Sequence, residues 1–143
     1  MIDTSIETIA GSLTQAGIEI YRRSSDRIQI AERVRMHLMD SGVSVSIAEP
    51  PTVQYAVRCQ RSDFPTNDAS DLFERVRTAS APAARDAGFV EVGARTRTIT
   101  DPMDDSRVLD TWLEVLFERA ISESDELTSI VTWALSQPKY VQP

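Results

Sequence analysis

Cysteine, histidine and lysine each occur once in this chain, as Cys59, His37 and Lys139. A lone cysteine forms no internal disulfide, which fits a reducing, cytoplasmic compartment. One Cys and one His are too few for a zinc site without carboxylate ligands, and neither H-E-x-x-H nor a paired C-x-x-C occurs. A serine triad would need His37, yet no G-x-S-x-G elbow accompanies it. The five glycines are isolated, so no G-x-G-x-x-G or G-K-[ST] loop cradles a phosphate. No apolar run approaches the ~18 residues of a membrane span, and "MIDTSIETIA" lacks the basic start and apolar stretch of a signal peptide. The expectation is no cofactor, no metal, no membrane and no catalytic motif.

Charge is what the chain does have, unevenly spread over a net of −7. Residues 22–62 carry a net of +3 and residues 101–143 a net of −6. Fourteen of the fifteen basic residues are arginine, whose planar guanidinium suits paired, half-buried contacts. Overall acidity argues against a dedicated nucleic-acid binder, because a local patch would have to overcome phosphate repulsion. The dense stretch "YRRSSDRIQIAERVRMHLM" (21–39) is the one place to look for such a patch. Read as a helix, it scatters Arg27, Arg33 and Arg35 around the axis and dilutes them with Asp26 and Glu32, so it makes no basic stripe.

Hydrophobic spacing predicts an α+β domain. Ile6, Ile9, Ala10, Leu13 and Ile20 recur at helical intervals, opened by Thr4 or Ser5. Ile30, Ala31, Val34 and Leu38 do the same, with Gly42 as a C-terminal cap. The alternation of Ile18/Ile20 and Ile28/Ile30 offers a competing hairpin, and the helical spacing is preferred. "VSVSIAEPPTVQYAVRC" alternates on both sides of a proline turn and reads as a β-hairpin. Its parity sends Cys59 into the core with Val53, Tyr55 and Val57. Leu72, Phe73, Val76, Ala79 and Ala83 form a helical stripe that Pro82 should kink or split and Gly88 should end. "FVEVGARTRTIT" is a strand with Val90, Val92 and Ala94 opposite Glu91, Arg95 and Arg97. "DPMDDSRVLD" reads as an acidic loop, and "TWLEVLFERAI" is read as a strand in preference to a helix. Leu127, Ile130, Val131, Ala134 and Leu135 make a last helix, stopped by Pro138. The expected fold is one domain over 1–143 in the order α-α-ββ-α-ββ-α. It has a helical region at about 4–40 and a core at about 43–137, with an antiparallel sheet of about four strands and helices packed on one face.

Three chemical hypotheses follow from single features. Asp101, Asp104, Asp105 and Asp110 suggest calcium but lack the spacing, glycine and distal Glu of an EF-hand loop. Turn closure is the simpler role. Glu91, Glu114 and Glu118 share the outer sheet face with Arg58, Arg95 and Arg97, as cross-strand ion pairs or, alternatively, as the carboxylates of a small enzyme. Trp112 and Trp133 are read as core or interface residues. Arg27 and Arg35 fall on or beside an apolar helical arc, awkward in a monomer and natural at an interface with Asp or Glu.

With catalytic motifs absent, the expected function is a non-enzymatic oligomeric assembly or partner-binding protein. Its candidate interface residues are Arg27, Arg35, Arg95, Arg97, Asp104 and Asp105, and its partners are copies of itself or other proteins. The element order, carried by "VSVSIAEPPTVQYAVRC" and "FVEVGARTRTIT…DTWLEVLFERAI", resembles the tail-terminator and head–tail joining proteins of tailed phages. In second place it resembles the type III secretion chaperones. The first resemblance implies a ring subunit within a virion or tail-like particle, the second an apolar groove for a secreted partner. An immunity-type inhibitor is a further binding alternative. Neither resemblance rests on a motif, so neither assigns a role to any residue.

Overall fold

The computed structural model describes residues 5–143. These form three α-helices and six strands: α1 (Ile6–Gln15), β1 (Ile20–Arg23), β2 (Arg27–Val34), β3 (His37–Ser46), β4 (Thr52–Gln60), α2 (Ala69–Asp86), β5 (Val90–Asp101), β6 (Asp104–Ala120) and α3 (Leu127–Ser136). The strands make one antiparallel sheet in the order β1-β2-β3-β4-β6-β5. This corrects the expected order and strand count: β1 and β2 replace the second helix, and the sheet has six strands where about four were expected. Thr4, offered as a helix opener, lies outside the described residues. No helix of the described residues is long and apolar enough to cross a membrane.

Two compact units divide the chain. The first holds residues up to Tyr55 together with Glu118–Gln137. Within it Ser5 caps α1 by accepting a hydrogen bond from the Thr8 backbone N–H, and Gly17 lies just past the helix end at φ 81°. Ile9, Ala10 and Leu13 of α1, Leu127, Val131 and Ala134 of α3, and Ile28, Ile30, Val43, Val45, Val53 and Tyr55 of the strands are all buried. Alternation puts Ile28 opposite Val45 and Val45 opposite Val53, so one sheet face supplies the apolar wall. Tyr55 meets Trp133 edge to face at 5.8 Å, and burial pushes its phenol up to about 12.

The segment 21–39 forms a β-ribbon: Ile28 and Ile30 are buried two positions apart, Ala31 is buried beside the register shift between Gln29 and Ala31, and Val34 and Leu38 of the supposed helical arc stay exposed. Ser24–Asp26, the end of "RRSSD", is the turn between β1 and β2, closed by Ser24 N–H donating to the Arg27 carbonyl at 2.9 Å, whereas Arg22 and Arg23 end β1. His37, expected near a helix end, opens β3 opposite Val34. Gly42 is a bulge residue at φ 83°, where the β2–β3 register shifts. Beside it Ser41 Oγ donates to the Ile30 carbonyl at 2.7 Å.

The second unit holds Ala56–Phe117 and Pro138–Pro143. Asp68 caps α2, and Phe89 N–H and Gly88 N–H close its far end on the Ala84 and Arg85 carbonyls. Pro82 does not split α2, which runs unbroken through it. The Thr78 carbonyl, which has no N–H to accept from at Pro82, belongs to an exposed residue. Leu72, Val76 and Ala84 are buried, as are Val57, Cys59, Leu113, Val115 and Phe117. Burial pushes the Cys59 thiol up, as expected of a cysteine serving as a small core hydrophobe. The supposed loop 101–110 shrinks to a two-residue turn at Pro102 and Met103, and 104–120 is one long strand.

The β2–β3 turn is strained. Arg35 (φ 52°) and Met36 (φ 71°) both occupy the left-handed region, where side chains other than Gly and Asn cost about 1–2 kcal/mol per residue. The double substitution Arg35→Asn/Met36→Gly is therefore expected to raise stability by about 1–2 kcal/mol in urea unfolding. An unchanged or lowered midpoint would contradict this turn geometry.

Candidate functional site: a buried carboxylate among three arginines

On β6 successive side chains point to opposite sides. Leu113, Val115 and Phe117 take the apolar side, so Trp112 and Glu114 face the other way, where no apolar wall receives them. Glu114 is nevertheless fully buried. Three arginines cover it. Arg95 of β5 donates from Nε to Oε2 at 3.1 Å, with its Nη2 also 3.1 Å from Oε2. Arg97 Nη1 lies 3.5 Å from Oε1, and Arg58 Nε of β4 lies 3.8 Å from the same oxygen. Three guanidinium groups thus surround one carboxylate, leaving a local charge of +2 in an acidic molecule.

The arginines differ in setting. The Arg58 side chain is only 12% exposed, whereas those of Arg95 and Arg97 are each 52% exposed. Arg58 is packed against two neighbouring rings, its guanidinium carbon 4.7 Å from the centroid of Trp112 and 5.5 Å from that of Tyr140. Those rings meet edge to face at 6.1 Å. The C-terminal residues hold this arrangement: Arg58 N–H donates to the Lys139 carbonyl at 2.9 Å, and Val141 N–H donates to the Arg58 carbonyl at 2.8 Å. The tail pairs there as a short parallel bridge. Arg58 Nε and Glu114 Oε1 are both buried without a hydrogen bond. At 3.8 Å they attract as charges, and no water fits between them. The side chains of Arg95 and Arg97 remain half exposed to solvent.

Of the residues expected at an interface, the fold brings Arg95 and Arg97 together and keeps the others apart. Arg27 lies on β2, not on a helix, and its Nη1 donates to Ser44 Oγ at 2.8 Å and Gln54 Oε1 at 3.0 Å. Arg35 sits at the exposed β2–β3 turn. Asp104 accepts from the Ser106 hydroxyl at 2.6 Å and the Ser106 N–H at 3.1 Å, and these bonds hold its carboxyl below the usual range. Asp105 is exposed beside it. Asp101 caps the same turn through Met103 N–H at 2.9 Å, and Asp110 accepts from Ser62 at 2.6 Å. Asp101 and Asp104 thus close the β5–β6 turn, whereas Asp110 ties β6 to Ser62. No cluster of three or more metal-ligating residues occurs among the described residues.

The outer-face carboxylates also part company. Glu91, expected beside Arg95 and Arg97, pairs with Arg77 of α2 at 3.0 Å. Glu118 accepts from Gln54 at 3.5 Å. Glu114 is closed to any substrate atom by its burial. Tyr140 was missed altogether, because a ring three residues before the last position belongs to no periodic pattern. Trp112 was legible as a core or interface residue and is in fact the platform for Arg58.

Removing Glu114 leaves Arg58 buried and unpaired, while Arg95 and Arg97 can return to water. Glu114→Ala is expected to cost about 3–5 kcal/mol, whereas Arg95→Ala and Arg97→Ala should each cost about 1 kcal/mol or less. Urea unfolding of the three variants checks this ranking. Equal costs would contradict the central place given to Glu114.

No family model, no curated protein and no solved structure matches this chain.

Proposed function

We propose that this chain is a non-enzymatic assembly or partner-binding protein whose contact surface is the sheet face around Glu114, and that its partner there presents acidic side chains. The observation that carries this reading is the pairing of Arg95 and Arg97 on one buried carboxylate: both side chains are half exposed, both are aimed by Glu114, and the three guanidinium groups exceed its charge. Arginines fixed in place before binding lose little side-chain entropy when a partner's carboxylate arrives. The stacked Trp112, Arg58 and Tyr140 add the aromatic and guanidinium content in which protein interfaces are rich. The reading covers a ring subunit of a virion or tail and a secretion chaperone alike, and stoichiometry is what separates them. It places the protein in a reducing compartment such as the cytoplasm, supported by a single free cysteine that is buried.

Phenylglyoxal footprinting tests this directly, because the reagent modifies accessible guanidinium groups. Arg95 and Arg97 are expected to react in the purified protein and to be protected in a native lysate, with the exposed Arg85 reacting in both. Equal modification of Arg95 and Arg97 in the two settings would contradict the reading.

A further inference from the structure

The two edges of the sheet are treated differently. β1 is four residues long, has a register irregularity between Ile20 and Arg22, and carries Arg22 and Arg23. Short length, a bulge and outward charge are how proteins keep an edge from pairing with another chain. β5 is twelve residues long, has no Pro and no Lys, and leaves Val90 62% and Val92 48% exposed. Among the described residues, no backbone hydrogen bond outside the sheet ladder reaches 90–101.

The charges along β5 complement themselves when the strand meets its own copy. Antiparallel pairing about a two-fold axis at Gly93 sets Glu91 opposite Arg95 and Val92 opposite Ala94, each twice. A centre at Ala94 would set Glu91 opposite Arg97 but Val92 opposite Thr96, one at Arg95 would oppose two like charges, and one at Thr96 would set Arg95 against Arg97 and Glu91 against Asp101. Opposite charges directly across an antiparallel pair stabilise it and like charges destabilise it. The Gly93 centre also gathers Val92 and Ala94 of both copies into one apolar patch.

We propose that two copies of this chain pair through β5, antiparallel and centred on Gly93, continuing the sheet across a two-fold axis. The axis is perpendicular to the sheet, so both Glu114 clusters face the same side and form one enlarged arginine-bearing surface. This inference deepens the assembly reading above and rests on it.

Gly93→Cys tests the register. A Cβ built at Gly93 meets nothing within 4 Å, and its φ is not left-handed, so cysteine fits the isolated chain. Directly opposed residues of an antiparallel pair lie about 4.5–5.5 Å apart at Cα, within disulfide reach. The native Cys59 is buried and takes no part. Mild oxidation of Gly93→Cys is expected to give a covalent dimer that reductant reverses. Thr98→Cys should remain monomeric, and adding Glu91→Arg to Gly93→Cys should abolish the crosslink. An unchanged thermal transition in the reduced variants keeps misfolding apart from failed pairing. A Gly93→Cys chain that stays monomeric, or that crosslinks equally well with Glu91→Arg, overturns the proposal. If Arg95 and Arg97 are still protected in lysate under that outcome, the dimer fails and the partner-binding reading stands.

Discussion

The burial of Glu114 is the constraint on which the polar side of β6 depends. A carboxylate removed from water costs several kcal/mol unless charge and hydrogen bonds replace its hydration. Here the replacement comes from two neighbouring strands, Arg58 on β4 and Arg95 and Arg97 on β5. The same residue that burdens the fold therefore fixes three long side chains in place. Such an arrangement contributes little net stability compared with an apolar substitute, and its value lies in orientation.

From that point the surroundings follow in sequence. Arg58 turns its Nε to Glu114 and packs its guanidinium against the adjoining rings of Trp112 and Tyr140. Tyr140 is placed by the backbone bonds that tie 139–141 to Arg58, so the last residues of the chain belong to the site. Arg95 and Arg97 are held at one end and wet at the other. Glu114 itself stays out of solvent beneath them.

How far the sequence carried depended on whether the physical signal was local. The alternation in 43–59 and the capped stripe in 69–86 announced a hairpin and a helix because most of the burial there follows a local period, although α2 buries Ser80 and Ala84 in place of the expected Ala79 and Ala83. The strand reading of "TWLEVLFERAI" held for the same reason, with Leu113, Val115 and Phe117 buried in alternation. The segment 21–39 misled because its turn lacks any turn residue. Arg35 and Met36 adopt left-handed backbone that Asn-Gly would have advertised, and Gly42 marks a bulge where a helix cap was read. Parity placed Glu114, Arg58, Arg95 and Arg97 on one side. It could not show that Glu114 is buried, nor that Glu91 turns to Arg77, because both depend on reach between strands and helices. The tail's part in the site left no periodic trace at all.

Guanidinium hydrogen exchange, read by nitrogen-resolved NMR, tests most directly whether Glu114 organises these arginines. The account predicts that Nε–H of Arg95 exchanges markedly more slowly than that of the exposed Arg85, and that Glu114→Gln removes most of the difference. Arg95 exchanging as fast as Arg85 in the unaltered chain, or a slow rate that survives Glu114→Gln, would contradict it.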